Sequence, residues 1–134
     1  MERDRVHRVG QRIGRDIEAD LVILFGSATR VEERPAEDLD IAVLARVPLD
    51  LVALTNRFVQ ALHFQDIDLV DLRRADPVLL AQVARDGVPL YETRSGAFTE
   101  FTSLAVRRFA DTRKFREAER EHIRAFVDRA AGAS

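Results

Sequence analysis

Two apolar runs stand close together in the chain, Leu21-Val22-Ile23-Leu24-Phe25-Gly26-Ser27 and, after ten intervening residues, Asp38-Leu39-Asp40-Ile41-Ala42-Val43-Leu44. Each run is too short for a buried helix and is typical of a strand that is covered on both faces. The first run ends in a turn of small residues, and the second begins with carboxylates at alternate positions. This layout predicts neighbouring strands that carry a phosphate-binding turn and a site for a divalent metal.

The carboxylates at the start of the second run are the strongest chemical signal. Asp38 and Asp40 should point the same way, roughly 6.6 Å apart, because side chains alternate faces along a strand. Carboxylates this close repel each other unless a cation lies between them or one is protonated. Oxygen ligands in a chain without cysteine favour Mg²⁺ or Mn²⁺ over Zn²⁺. A pair of such ions about 4 Å apart catalyses phosphoryl and nucleotidyl transfer.

A third carboxylate would complete such a metal site, and the segment 66–72 offers three candidates. Asp66 and Asp68 should share one face of a strand, and Asp71 should point the other way. Asp68 is the best candidate because it lies in the middle of the strand between apolar residues. Asp66 stands at the strand entrance, where a solvated carboxylate is equally well explained.

The turn after the first run suits the phosphates of a nucleotide. Gly26 allows the backbone to approach a phosphate closely and tolerates unusual dihedral angles. Backbone N–H groups at the start of the helical turn that follows would favour an anion. The Ser27 hydroxyl can donate to a phosphate oxygen, and Arg30, one turn further on, could reach a β- or γ-phosphate. A glycine and a serine after a strand are also a common turn, so the signal depends on the neighbouring carboxylates.

Helices and strands alternate along the rest of the chain, which predicts an α/β (α+β) fold with a small mixed sheet flanked by helices. Apolar periodicity and capping residues predict helices over Arg3–Glu18, from Pro48 to His63, and from Pro77 to Gly87. Asp76 is the predicted cap of the third helix. One long helix or two shorter ones are predicted after Gly96. Strands are predicted over 21–25, 38–45, 66–72 and 88–91.

Composition excludes several classes of function. The chain has 134 residues, with 46% hydrophobic and 33% charged residues, as expected for one soluble domain. The absence of cysteine excludes disulfides and thiolate chemistry. A net charge of −2 gives no field that favours nucleic acid, so no direct nucleic-acid partner is expected. No apolar run approaches the roughly 18 residues of a membrane span, and the N-terminus is charged, so we expect a cytoplasmic protein.

These residues together resemble a known family, the minimal nucleotidyltransferases (MNT) of the DNA polymerase β-like superfamily. The resemblance rests on Gly26-Ser27, on Asp38-Leu39-Asp40 and on the strand 67–72, and it covers most of residues 10–92. It implies a polymerase β-like fold with ATP as substrate and Mg²⁺, in two ions, held by Asp38, Asp40 and Asp68. These three aspartates would be the catalytic residues, and Gly26, Ser27 and Arg30 would bind the nucleotide.

The resemblance also implies a domain division and a partner. Residues 1–93 would form the nucleotidyltransferase core, and residues 94–134 a C-terminal helical segment that packs on the core or on a partner. The stretch 108–113 is similar to the tail helix of MNT proteins encoded beside HEPN proteins. The implied function is an antitoxin that adenylylates a tyrosine of a cognate HEPN ribonuclease toxin and forms a hetero-oligomer with it.

Two other functions fit the same residues. One is transfer of a nucleotide to a small molecule such as an aminoglycoside, although such enzymes generally carry an extra helical domain and only about 40 residues remain here. The other is an antitoxin that acts by binding alone. The segment 94–134 contains five of the eight phenylalanines, and this supply of apolar side chains suits either an intramolecular core or an interface.

Overall fold

The computed structural model describes residues 2–26 and 38–132 of the chain. In these residues five helices and four strands follow one another in the order α1 (Arg3–Asp16), β1 (Leu21–Phe25), β2 (Leu39–Leu44), α2 (Leu51–Leu62), β3 (Ile67–Asp71), α3 (Pro77–Asp86), β4 (Val88–Glu92), α4 (Ala97–Asp111) and α5 (Arg113–Gly132).

The four strands form one mixed sheet in the order β3-β2-β1-β4, which confirms the predicted sheet. β1 pairs antiparallel with both β2 and β4, whereas β2 and β3 run parallel. The carboxyl end of β1 therefore lies beside the amino ends of β2 and β3. Phe25 pairs with Asp40, and Asp40 pairs with Asp68, so this end of the sheet holds the carboxylates that the sequence analysis singled out.

Helices cover both faces of the sheet, which explains why all five residues of β1 are buried. On one face α1 and α2 pack against the strands and contribute the buried side chains Val6, Val9, Ile13, Leu54, Phe58 and Leu62. On the other face α3 and α4 contribute Leu80, Val83, Ala97, Phe101 and Ala105. Apolar side chains that alternate along β1 and β2 enter the two clusters in turn, as strand geometry requires.

The limits of α2 differ from the prediction that Pro48 begins this helix. The helix begins at Leu51, because the Asp50 side chain accepts a hydrogen bond of 3.1 Å from the Ala53 N–H and caps the first turn. A proline is compatible with the first turn of a helix but forms no capping hydrogen bond, so the Asp50 cap determines where α2 begins. For α3 the predicted signals are confirmed: Asp76 accepts from the Leu79 N–H at 2.8 Å, and Pro77 is the first helical residue.

The segment after Gly96 contains two helices rather than one. α4 lies against the core through Ala97, Phe101 and Ala105, whereas no side chain described for α5 is buried. The division of the chain at residue 93 stays a prediction. Among the described helices, none combines the length and the apolar character that a membrane span requires.

Candidate active site

Three carboxylates meet at the end of the sheet where β1 ends and β2 and β3 begin. Asp38, Asp40 and Asp68 each offer an oxygen atom, and these oxygens lie within 4.8 Å of one another. Asp40 and Asp68 are in register on parallel strands, and Asp38 lies two residues before Asp40 and therefore points to the same side. The strands β2 and β3, with the residue directly before β2, thus bring together the three side chains that the sequence pattern singled out.

The exposure of the three carboxylates is graded. Asp38 and Asp40 are half-buried, and Asp68 is exposed at the edge strand. Ala42 follows Asp40 on the same face of β2 and is fully buried beneath α3 and α4. The covered part of this face therefore ends between Ala42 and Asp40, and the carboxylates lie where the helices stop.

Burial and the charges of its neighbours both act on Asp40, the central carboxylate of the three. Burial raises the pKa of the Asp40 carboxyl above its ordinary value of 3.8, and the negative charges of Asp38 and then Asp68 raise this pKa further. Such a group is poorly accommodated without a cation, because each neighbour disfavours its ionised form. Three carboxylate oxygens at this spacing fit a hard divalent cation such as Mg²⁺, which prefers oxygen ligands.

Gly26 directly follows β1 and lies beside the Asp40 carboxylate. Its φ of +77° lies in the left-handed region, and a Cβ atom at this position would lie 2.3 Å from the Oδ2 atom of Asp40. The glycine therefore permits a backbone conformation that other residues rarely adopt, and its missing side chain leaves room for the Asp40 carboxylate. The rest of the predicted turn lies outside the described residues. The close approach to Asp40 follows from the pairing of Phe25 with Asp40, which the sequence alone did not indicate.

The other two predicted nucleotide-binding residues, Ser27 and Arg30, lie outside the described residues. Their role stays a prediction.

The remaining candidates for the third carboxylate are placed elsewhere. The Asp66 side chain is exposed and does not belong to the three-carboxylate group, although its backbone carbonyl accepts a hydrogen bond of 2.8 Å from the Leu39 N–H at the start of the ladder. Asp71 is buried, and its Oδ1 atom accepts from the Arg73 N–H at 3.0 Å, so it shapes the turn after β3. The structure therefore brings Asp68, and neither neighbour, to Asp38 and Asp40.

A cleft of about 540 Å³ lies at the opposite end of β1 and β2. Leu21, Leu44 and Phe101 form part of its wall, and none of the three carboxylates lines it. The pairing of Leu21 with Leu44 marks this as the far end of the antiparallel pair. This cleft is therefore separate from the carboxylates by the length of the strands.

We expect the Asp40→Asn variant to be more heat-stable than the unsubstituted protein when both are free of metal. The raised pKa means that the Asp40 carboxyl stabilises the fold only when protonated, and this contribution is lost as the pH rises through the raised pKa. Neutral asparagine removes the repulsion, so the midpoint of thermal unfolding at pH 7 in EDTA should rise by a few degrees. The difference should shrink as the pH falls towards 3.8.

Magnesium should reverse this order. Binding of a cation to the folded state alone raises the unfolding midpoint of the unsubstituted protein, and the Asp40→Asn variant should respond weakly. Asp66→Asn is the matched control, since it removes a nearby exposed carboxylate from outside the group. Equal responses of all three proteins to magnesium would contradict a metal site at these carboxylates.

Comparison with known proteins agrees with this geometry. A family model described as Polymerase beta, Nucleotidyltransferase matches residues 11–95. The protein adenylyltransferase MntA of Shewanella oneidensis is 43% identical over 77 residues, which are 55% of this chain and 55% of that protein. This chain thus matches about half the length of that curated relative.

Solved structures resemble nearly the whole chain. A crystal structure of a toxin–antitoxin with AMP-PNP contains a chain with a TM-score of 0.68 and 31% identity, and the match covers 92% of this chain and 98% of that one. A structure of a tri-AMPylated Shewanella oneidensis HEPN toxin in complex with its MNT antitoxin gives a TM-score of 0.62 and 32% identity, covering 90% and 98%. The matched family model covers more than half of the chain and includes all three carboxylates. This chain therefore belongs to the polymerase β nucleotidyltransferase family.

Proposed function

We propose that this chain is an antitoxin that transfers AMP from ATP to a tyrosine of a cognate HEPN ribonuclease toxin. The observation that carries the proposal is the meeting of Asp38, Asp40 and Asp68 at the open end of two parallel strands. Similarity to a protein named as a protein adenylyltransferase supports the reaction. Similarity to a chain solved together with a tri-AMPylated HEPN toxin supports the acceptor and the partner.

The three carboxylates would hold Mg²⁺, in two ions, as the family resemblance implies. When bound, Mg²⁺ supplies positive charge that offsets the charge of the triphosphate and of the departing pyrophosphate. The turn that begins at Gly26 would receive the phosphates, with the Ser27 hydroxyl as a donor and the Arg30 guanidinium as a charged partner. The chain mainly positions the reactants and neutralises charge.

The reaction joins the tyrosine to the α-phosphorus of ATP. The phenolic oxygen attacks the phosphorus in line, the new O–P bond forms, and the bond to the oxygen that bridges the α- and β-phosphorus atoms breaks, so pyrophosphate leaves. The phenolic proton passes to the Asp68 carboxylate, which acts as the general base. Asp68 suits this role because it is the most exposed of the three carboxylates and lies on the edge strand, where a side chain of another protein can approach it.

We further infer that residues 1–93 form the nucleotidyltransferase core, which carries the catalytic site, and that residues 94–134 form a C-terminal helical segment that packs on the core or on a partner. The match of the family model to residues 11–95 supports this division. The contacts of α4 with the core indicate that this first helix of the segment is also needed for folding.

The intact mass of the toxin tests the proposal directly. We expect a HEPN toxin encoded beside this chain to gain one or more AMP units after incubation with the chain, ATP and Mg²⁺. Substitution of the acceptor tyrosine by phenylalanine should prevent the gain, because phenylalanine has no hydroxyl to attack. An ATP analogue with a methylene group between the α- and β-phosphorus atoms should give no gain, since that bond cannot be cleaved.

Other outcomes would favour the rival functions. A toxin that is fully silenced without any gain in mass would identify an antitoxin that acts by binding alone. A gain in mass on an aminoglycoside, with none on the toxin, would identify a small-molecule nucleotidyltransferase. Either result would overturn the proposed reaction.

A further inference from the structure

The helix α5 carries an apolar stripe that the rest of the described chain does not cover. Its large apolar side chains are between 55% and 77% exposed, namely Phe115, Ile123, Phe126 and Val127. At 100° per residue these four side chains fall within a sector of 120° on one side of the helix. None of them joins either core cluster, so this stripe is not needed to complete the fold that the structure describes. Exposed patches of this kind mark interaction surfaces.

Contacts at its first turn hold α5 to α4. The guanidinium carbon of Arg116 lies 3.9 Å from the centroid of the Phe109 ring, and the same side chain donates a hydrogen bond of 3.3 Å to the Phe109 carbonyl. The Thr112 hydroxyl donates to that carbonyl at 2.7 Å. α4 is itself buried in the core through Phe101 and Ala105. The stripe is therefore presented from an anchored junction rather than from a loose tail.

Positive charge borders the stripe on both sides. Arg120 and Arg124 lie beyond one border, one helical turn apart, and Arg129 lies beyond the other. Arg116 falls inside the sector, but its guanidinium turns towards α4 and lies over the Phe109 ring. The acidic side chains Glu117, Glu121 and Asp128 lie on the opposite face of the helix. A partner groove that fits this face must be apolar at its floor and acidic at its rim, because opposite charges across an interface steer and select the partner.

The same charges argue against two other occupants. A second copy of α5 would bring basic borders together and would be repelled. An anionic membrane would accept the basic borders, but Glu119 falls inside the apolar sector, and burying a carboxylate in lipid is costly. A protein groove can offer a partner for that carboxylate.

We propose that α5 docks its apolar stripe into an acidic-rimmed apolar groove of the toxin and holds the toxin so that the acceptor tyrosine reaches the three carboxylates. The inference rests on the proposed function for the identity of the partner. It assigns recognition to α5 and chemistry to the sheet end, so the two can be separated by experiment. Docking needs neither ATP nor a metal, whereas transfer needs both.

The test compares matched pairs of substitutions in the full-length chain. Ile123→Gln with Phe126→Gln changes the stripe, and Glu121→Gln with Ala125→Gln changes the opposite face by the same number of helix-compatible residues. Arg120→Glu with Arg124→Glu reverses one border, and Glu117→Arg with Glu121→Arg is its counterpart on the opposite face. All seven changed positions are exposed, so each variant is expected to fold.

Affinity for the toxin is measured without ATP, by calorimetry or by a surface-bound assay. We expect the stripe variant to raise Kd at least about thirtyfold. The border variant should also raise Kd, and its Kd should depend less on salt concentration than that of the unsubstituted chain. The Kd of each counterpart should stay within about threefold of that of the unsubstituted chain. At toxin concentrations that saturate the variant, kcat for AMP transfer should match that of the unsubstituted chain, so the loss appears in KM. The unfolding midpoint of each variant with Mg²⁺ confirms that the sheet end is intact.

Three outcomes would overturn the inference. The first is an unchanged Kd for the stripe variant. The second is a chain that is dimeric on its own, by light scattering, and becomes monomeric in the stripe variant, because the stripe then binds a second copy. The third is binding of the chain to vesicles of anionic phospholipid that the stripe substitutions abolish. If the stripe governs toxin binding and yet no AMP is transferred, the docking inference stands and the proposed reaction fails.

Discussion

Substituting Asp38 or Asp40 by asparagine should lower the rate of AMP transfer to the toxin at least about a thousandfold, a loss of about 4 kcal/mol in transition-state stabilisation. Asparagine has the same shape as aspartate but no charge and only one oxygen acceptor, so it cannot offset the charge of a divalent cation. Both side chains belong to the group whose oxygens lie within 4.8 Å of one another. The rate is measured from the mass of the toxin over time under single-turnover conditions.

Asp68→Asn should also be strongly impaired, and its rate should lose the pH dependence that a general base imposes. Asp66→Asn is the control on the same segment, since its exposed side chain lies outside the three-carboxylate group, and its rate should stay within about threefold of the unsubstituted chain. A variant at Asp38 or Asp40 that retains full transfer activity would contradict the proposed site.

The same variants separate catalysis from binding. Each of them should retain the affinity of the unsubstituted chain for the toxin, because the proposed docking stripe on α5 contains none of the three carboxylates. If they also neutralise the toxin fully in cells, then binding suffices and transfer is dispensable. Full neutralisation without transfer would therefore support the alternative of a stoichiometric antitoxin.

Much of the site could be predicted from the sequence because its signals are local. Alternation along a strand places Asp38 and Asp40 on one side without any knowledge of the rest of the chain. The choice of Asp68 required only that β3 lies beside β2 and that Asp68 lies within its strand between apolar residues. The register of Asp40 with Asp68 then followed in the structure.

Other features depend on contacts that no short stretch contains. The predicted start of α2 at Pro48 was wrong. Proline and aspartate are both common at helix starts, and here the hydrogen bond from the Ala53 N–H to Asp50 sets the first turn. The contact of Gly26 with Asp40 depends on antiparallel pairing across thirteen intervening residues. The apolar residues of 94–134 gave no decision between core and interface, since burial depends on what lies opposite. The structure separates them, with Phe101 inside and Phe115 outside.

Replacing Gly26 by alanine should lower AMP transfer by at least about a hundredfold while costing only about 1–2 kcal/mol of folding free energy. The added Cβ would lie 2.3 Å from the Oδ2 atom of Asp40, so that carboxylate must rotate away. Rotation of a short side chain at its free end costs little stability, but it moves a proposed metal ligand out of place. The loss should therefore be much larger in rate than in stability, as measured by mass spectrometry and by denaturant unfolding.

Gly96→Ala supplies a matched control, because Gly96 also has a positive φ, +89°, and a Cβ there would meet no atom within 4 Å. Both variants place an alanine in the left-handed region and should lose similar folding free energy. Only the Gly26 variant disturbs a carboxylate, so only it should lose activity and the stabilisation by Mg²⁺. Equal loss of activity in the two variants would assign the effect to backbone strain and would remove Gly26 from the site. Selective loss would show that the end of β1 is shaped around the Asp40 carboxylate.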